Sequence, residues 1–177
     1  MEFYVTSEGK LGLKDIPPVL ADILRQIPFC GDRDSEEVES RFFPAPTIDP
    51  TEEDLRDDWK AYVQPDLHQL FQTARQTVEA DLRGIKEEEE FCELEFPFKH
   101  ADAWLNALNQ ARLALAAQFN FSEQDLSAFG GPTHIENERD LALLQVELYA
   151  DLQHWLIEVM NEGLPGDEED DELPDEL

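Results

Sequence analysis

The chain has 177 residues, long enough to bury a core, and sets 42 Asp and Glu against 13 Lys and Arg for a formal net charge of −29. That balance argues against direct contact with nucleic acid or with an anionic membrane, since both need a basic face. It admits basic proteins and cations as partners, and the 41% hydrophobic content with 11 Phe and 3 Trp excludes a wholly disordered chain.

Phe3 and Val5, then Leu11 and Leu13, alternate at period two around the turn Ser7-Glu8-Gly9, which predicts a short hairpin over 3–5 and 10–13. Asp15 then reads as a helix cap, with Pro17 and Pro18 in the first turn. Val19, Leu20, Ile23, Leu24 and Ile27 form that helix's apolar stripe, which Pro28 and Gly31 stop. Residues 30–50 read as a loop anchored by Phe42 and Phe43. Thr51 is expected to cap the next helix, with Asp54 returning the capping-box bond. Leu55, Trp59, Tyr62 and Val63 follow on one face. Pro65 interrupts, and Leu67, Leu70, Phe71, Ala74, Val78 and Leu82 continue, either as one kinked helix or as two.

Residues 86–90 read as an acidic connector. Cys92, Leu94 and Phe96 alternate with acids, which predicts a half-buried strand over 91–96 that could add an edge to the hairpin. A central helix spans 100–119, a short capped turn spans 122–129, and Gly130-Gly131-Pro132 breaks it. The last helix, about 136–161, repeats Leu141, Leu144, Leu148, Leu152, Trp155 and Val159 at intervals of three and four. Beyond it the acids have no basic counterpart, so residues 163–177 read as a disordered acidic tail on a single helical domain of residues 1–162. The expected fold is mainly α: four or five helices in a bundle, a small N-terminal β-hairpin and a candidate third short strand.

Only Cys30 and Cys92 are present, too few for a disulfide framework. Met1-Glu2-Phe3-Tyr4 has no basic start and no apolar stretch, and no apolar run approaches the length of a membrane helix. A cytoplasmic protein with free thiols is expected, and no membrane partner.

Three segments together resemble a bacterial family known as the twenty-seventeen domain of unknown function. They are Gly9, Leu11 and Leu13 at the strand–turn–helix start; Arg41-Phe42-Phe43-Pro44 followed by an acidic helix start and Leu55; and Trp104-Leu105, Leu108-Asn109 and Arg112-Leu113-Ala114-Leu115 before a last helix with Tyr149 and Trp155. The resemblance implies a mainly helical fold with no assigned reaction. In actinobacteria the family tends to be encoded near the ClpS protease adaptor and a zinc metallopeptidase, which implies a link to protein turnover or sulfur-carrier chemistry.

No site chemistry is spelled out. His68, His100, His134 and His154 with Cys30 and Cys92 lack any zinc spacing, and the acid runs 87–90 and 167–172 lack a calcium loop's ligand order. No phosphate loop, dinucleotide fingerprint or nucleophile elbow occurs, so no cofactor is expected. His100-Ala101-Asp102 looks like a catalytic pair, but side chains two apart on a helix diverge, so Asp102 reads as a capping residue. Arg112 is the sharpest polar residue. Leu105, Leu108, Leu115 and Phe119 flank it, and Asn109 lies one turn before it. A buried charge must be matched, so a structural ion pair is the expected role and an anion-binding cleft the alternative. Trp59, Trp104 and Trp155 read either as core or as an aromatic groove. The expected function is a non-enzymatic protein-interaction or adaptor module whose partner is another protein. An acidic DNA mimic is the alternative, and an enzyme with a site near Arg112 a further one. The sequence does not fix a homo-oligomeric state.

Overall fold

β1 (Glu2–Val5), β2 (Lys10–Ile16), β3 (Lys86–Glu87) and β4 (Cys92–Pro97) form an antiparallel sheet in the order β1–β2–β4–β3. It belongs to a computed structural model that describes residues 1–30, 36–49, 51–127 and 135–162. The acidic tail 163–177, the Gly130-Gly131-Pro132 break and His134 lie outside the described residues. The expected third strand does join the hairpin, pairing Leu11 with Phe96 and Leu13 with Leu94. These four side chains are buried and face the helices. Residues 86–87, read from sequence as a connector, add a two-residue edge beside Cys92 and Glu93.

β2 runs three residues further than its alternation suggested. A bulge between Leu13 and Ile16 lets fully buried Ile16 pair with Cys92, and Asp15 takes the left-handed conformation there, at φ 52°. Asp15 is therefore a strand residue and not a helix cap. Helix α1 (Pro18–Leu24) starts without a side-chain cap, behind Pro17. Tyr4 lies flat across Gly12, where an added Cβ would come within 2.2 Å of the ring. Its hydroxyl donates to Glu93 (2.8 Å) and Glu95 (3.1 Å), tying β1 across β2 to β4. Burial and those two carboxylates push the phenol well above its ordinary range.

Mainly α architecture surrounds this sheet. After α1 come α2 (Ile27–Cys30), α3 (Glu36–Phe42), α4 (Glu53–Asp58), α5 (Gln64–Leu82), α6 (Ala101–Gln118), α7 (Glu123–Ser127) and α8 (Glu138–Glu162). Helix α6 is the hub and packs against α8, α5, α3 and α2. Its composition explains this. Ala101, Ala107, Ala111, Ala114 and Ala116 are all buried, and small side chains let helices approach from several directions. Trp104 fills the end nearest the sheet, stacked on Phe96 with centroids 4.5 Å apart. Helix α8 presents Ala142, Val146, Tyr149, Leu152 and Leu156 to the core, and the Tyr149 hydroxyl donates to the Ile23 carbonyl at 2.9 Å. Short α7 opens with a capping box. The Asp125 carboxylate accepts from Ser122 N–H at 2.8 Å, and Asp125 N–H donates back to Ser122 Oγ.

Residues 53–82 form one uninterrupted helical rod, settling the question raised by Pro65. Trp59–Val63 is a π-helical turn between α4 and α5, and Gln64 N–H donates five residues back to the Trp59 carbonyl. Pro65 has no N–H to give, and its ring would collide with the carbonyl of Ala61 in a regular helix. Widening the preceding turn relieves the collision without bending the chain apart. The start of the rod also differs from expectation. Thr51 does not cap it: its N–H and hydroxyl both donate to Asp49 (2.8 and 2.7 Å), and Glu52 at the N-cap makes no side-chain bond.

Candidate functional site

Three places hold the polar and aromatic residues singled out in the sequence, and the fold separates them. The first is Arg112. Its Nη1 donates to Gln153 Oε1 at 2.5 Å, and Gln153 Nε2 donates onward to the Leu105 carbonyl at 3.2 Å. No carboxylate among the described residues lies within salt-bridge distance, and its buried Nε has no hydrogen-bond partner. Burial pulls the guanidinium below its ordinary range. The expected ion pair is thus replaced by a neutral amide. Gln153 on α8 thus links the half-buried guanidinium to the Leu105 carbonyl, both on α6, and Asn109 is exposed, away from this network.

The second place is a cluster that sequence reading missed. Asp81, near the end of α5, accepts from Trp104 Nε1 at 2.9 Å and lies 2.9 Å from His100 Nδ1. His100 therefore does meet an aspartate, but across two elements and not at Asp102. The available signal was an acid inside the apolar series Val78, Leu82 facing a His and a Trp four residues apart. A histidine oriented by a buried carboxylate resembles two members of a hydrolytic triad. Trp104 Nε1 donates to Asp81 Oδ2, an oxygen that His100 Nδ1 also approaches, so the arrangement secures a buried indole N–H.

The third place is the outer half of the rod. Ala74, Val78 and Leu82 are buried against the bundle, but no residue from Thr51 through Thr73 is. The series expected on one helical face is there, and it faces outward: Leu55 is 49% exposed, Tyr62 75% and Leu70 52%. Half-buried Trp59 belongs to the same series. Beside it, Phe43, Ala45, Pro46, Arg56, Trp59, Lys60 and Gln64 with Glu39 and Ser40 line a groove of about 330 Å³. Phe43 forms its floor, stacked on Phe71 (5.5 Å) and close to the His68 ring (4.0 Å). Gln64 Nε2 donates to Glu39 Oε1 at 3.3 Å, joining α3 to the rod. The three tryptophans thus divide: Trp104 in the core, Trp155 stacked on Phe3 at 4.8 Å between sheet and α8, and Trp59 on the groove.

Comparison with known families bears on this geometry. A family model described as a domain of unknown function, DUF2017, matches residues 15–160. The chain belongs to the DUF2017 family. None of the curated proteins compared, and none of the solved structures, matches it.

The matched span of this DUF2017 chain takes in Arg112, the Asp81 cluster and the whole exposed rod. Among the described residues no group of three or more His, Cys, Asp and Glu converges as a metal site would need. Among them, too, no helix is long and apolar enough to cross a membrane. Cys30 is half-buried and Cys92 buried, and no disulfide joins them.

Proposed function

We propose that this chain is a non-enzymatic protein-interaction module of adaptor type, and that the outer half of the 53–82 rod is its docking element. One observation carries the reading. A helical series that could have been buried against the bundle is held in solvent, from Leu55 to Leu70, beside a groove floored by Phe43 and walled by Trp59. Contiguous exposed apolar surface is costly to keep and marks interaction sites. Trp and Tyr, the residues that most often anchor interfaces, stand in its middle. The π-helical turn lies under the same residues, and such turns recur at functional positions.

The test is a comparative capture from the native cell extract, using wild type and a Leu55→Asp/Tyr62→Asp variant. Both positions are exposed, so the variant should keep its helical circular dichroism and melting temperature. Proteins retained by wild type and lost from the variant support the reading. Identical sets on both baits, with intact folding, would overturn it.

A further inference from the structure

The charge around the exposed series points to what covers it. Glu52, Glu53, Asp54, Asp57, Asp58 and Asp66 surround Leu55, Tyr62 and Val63, and all six acids are exposed. None of them has a salt bridge among the described residues. Some acids elsewhere find cations, Glu2 with Lys14, Glu8 with Lys10, Glu87 with Arg25 and Asp125 with Arg139, and others, such as Glu88, Glu89 and Glu90, have no salt bridge among the described residues either. On the rod, Arg56 gives Nη1 to the Asp49 carbonyl, and Lys60 faces the groove. An apolar strip with unneutralised acids along its flanks is complementary to a basic strip with apolar teeth.

Resting on the interaction-module reading, we infer that the rod binds a basic amphipathic segment of another protein. Its apolar face would lie along Leu55, Trp59, Tyr62 and Leu70 and its Lys or Arg residues against the flanking acids. Leu55 to Leu70 spans about 20 Å at the helical rise, so a partner helix of about four turns covers it. A second copy of this chain fits poorly. Two rods laid face to face would bring like charges together, and each chain carries a formal −29. A nucleic acid or an anionic membrane would meet the same repulsion.

A synthetic amphipathic helix of about four turns, Leu on one face and Lys on the other, serves as the probe. Its fluorescence anisotropy is followed against the full chain. Because a chain this acidic attracts any polycation, two variants are matched in charge: Glu53→Gln/Asp54→Asn/Asp57→Asn on the rod, and Glu88→Gln/Glu89→Gln/Glu90→Gln on the connector. The rod variant should weaken binding about tenfold, roughly 1.4 kcal/mol shared by three surface charges, and the connector variant less than about twofold. Leu55→Asp/Tyr62→Asp should abolish saturable binding, and a probe with Glu in place of Lys should not bind. Equal weakening by both charge variants would reduce the effect to bulk attraction and overturn the inference. So would dimerisation in sedimentation that Tyr62→Asp abolishes, since a second copy would then be the occupant. If native partners are lost with the apolar variant but kept by the rod charge variant, the interaction reading stands and the basic-partner inference falls.

Discussion

Trp104 is the residue whose removal tests the packing argument most sharply. Its side chain is fully buried, stacked on Phe96, and donates to Asp81. A buried indole removes about 150–250 Å² from water, worth about 4–6 kcal/mol at 25 cal/mol/Å². Trp104→Ala keeps only a methyl of that, and partial relaxation around the cavity left between α6 and the sheet brings the expected loss to about 3–5 kcal/mol. Asp81 also loses one of its two partners, a cost of about 1–3 kcal/mol if water cannot replace the bond. Trp104→Phe separates the two effects, because it retains a stacked ring and deletes the N–H. Urea melts followed by circular dichroism give the change in midpoint, and an unchanged slope licenses its conversion to free energy. Trp104→Phe should cost well under half as much as Trp104→Ala. A Trp104→Asp81 coupling of about 1 kcal/mol should emerge from a cycle with Asp81→Asn. A loss below about 1 kcal/mol for Trp104→Ala would refute the burial argument. Equal losses for Ala and Phe would show that the hydrogen bond, not the packing, carries the site.

Arg112→Met should change stability by less than about 1 kcal/mol in the same melts, because its partner is a neutral amide and its buried Nε gains nothing from staying. A loss of about 3–5 kcal/mol would reveal a carboxylate partner after all. Asp125 is held down to about 2 by the Ser122 hydroxyl and N–H, with Arg139 adding to them. Since its folded value lies below the ordinary carboxylate value, its contribution is complete above about pH 4 and is lost as pH falls toward 2. Amide protection across 122–127 should fall over that window, and Asp125→Asn should flatten the dependence. Pro65→Ala removes the clash that the π turn absorbs, so exchange protection at residues 59–65 should rise; unchanged protection would assign the turn to another cause.

The sequence by itself determined what depends on periodicity and local stereochemistry. Alternation at 3–5, 11–13 and 92–96 specified strands, because side chains of a strand point to opposite faces and half of them must find a core. Threefold and fourfold spacing in 101–118 and 138–162 specified helices for the equivalent reason, and the residues of the DUF2017 match were legible there. The tertiary structure alone decided how those faces are satisfied. Leu55, Tyr62 and Leu70 have the spacing of a core stripe, yet the stripe's inner continuation at Ala74, Val78 and Leu82 reaches α6 while the outer half runs past it into solvent. Periodicity records that a helix has an apolar face but not how far its neighbours extend. Asp81 joined His100 and Trp104 across 19 and 23 residues, and Arg112 met Gln153 across 41, because polar groups inside a bundle pair with whatever the helix packing sets opposite them. An arginine beside leucines foretold an acid as its partner, and the register of α6 against α8 set the amide of half-buried Gln153 there instead.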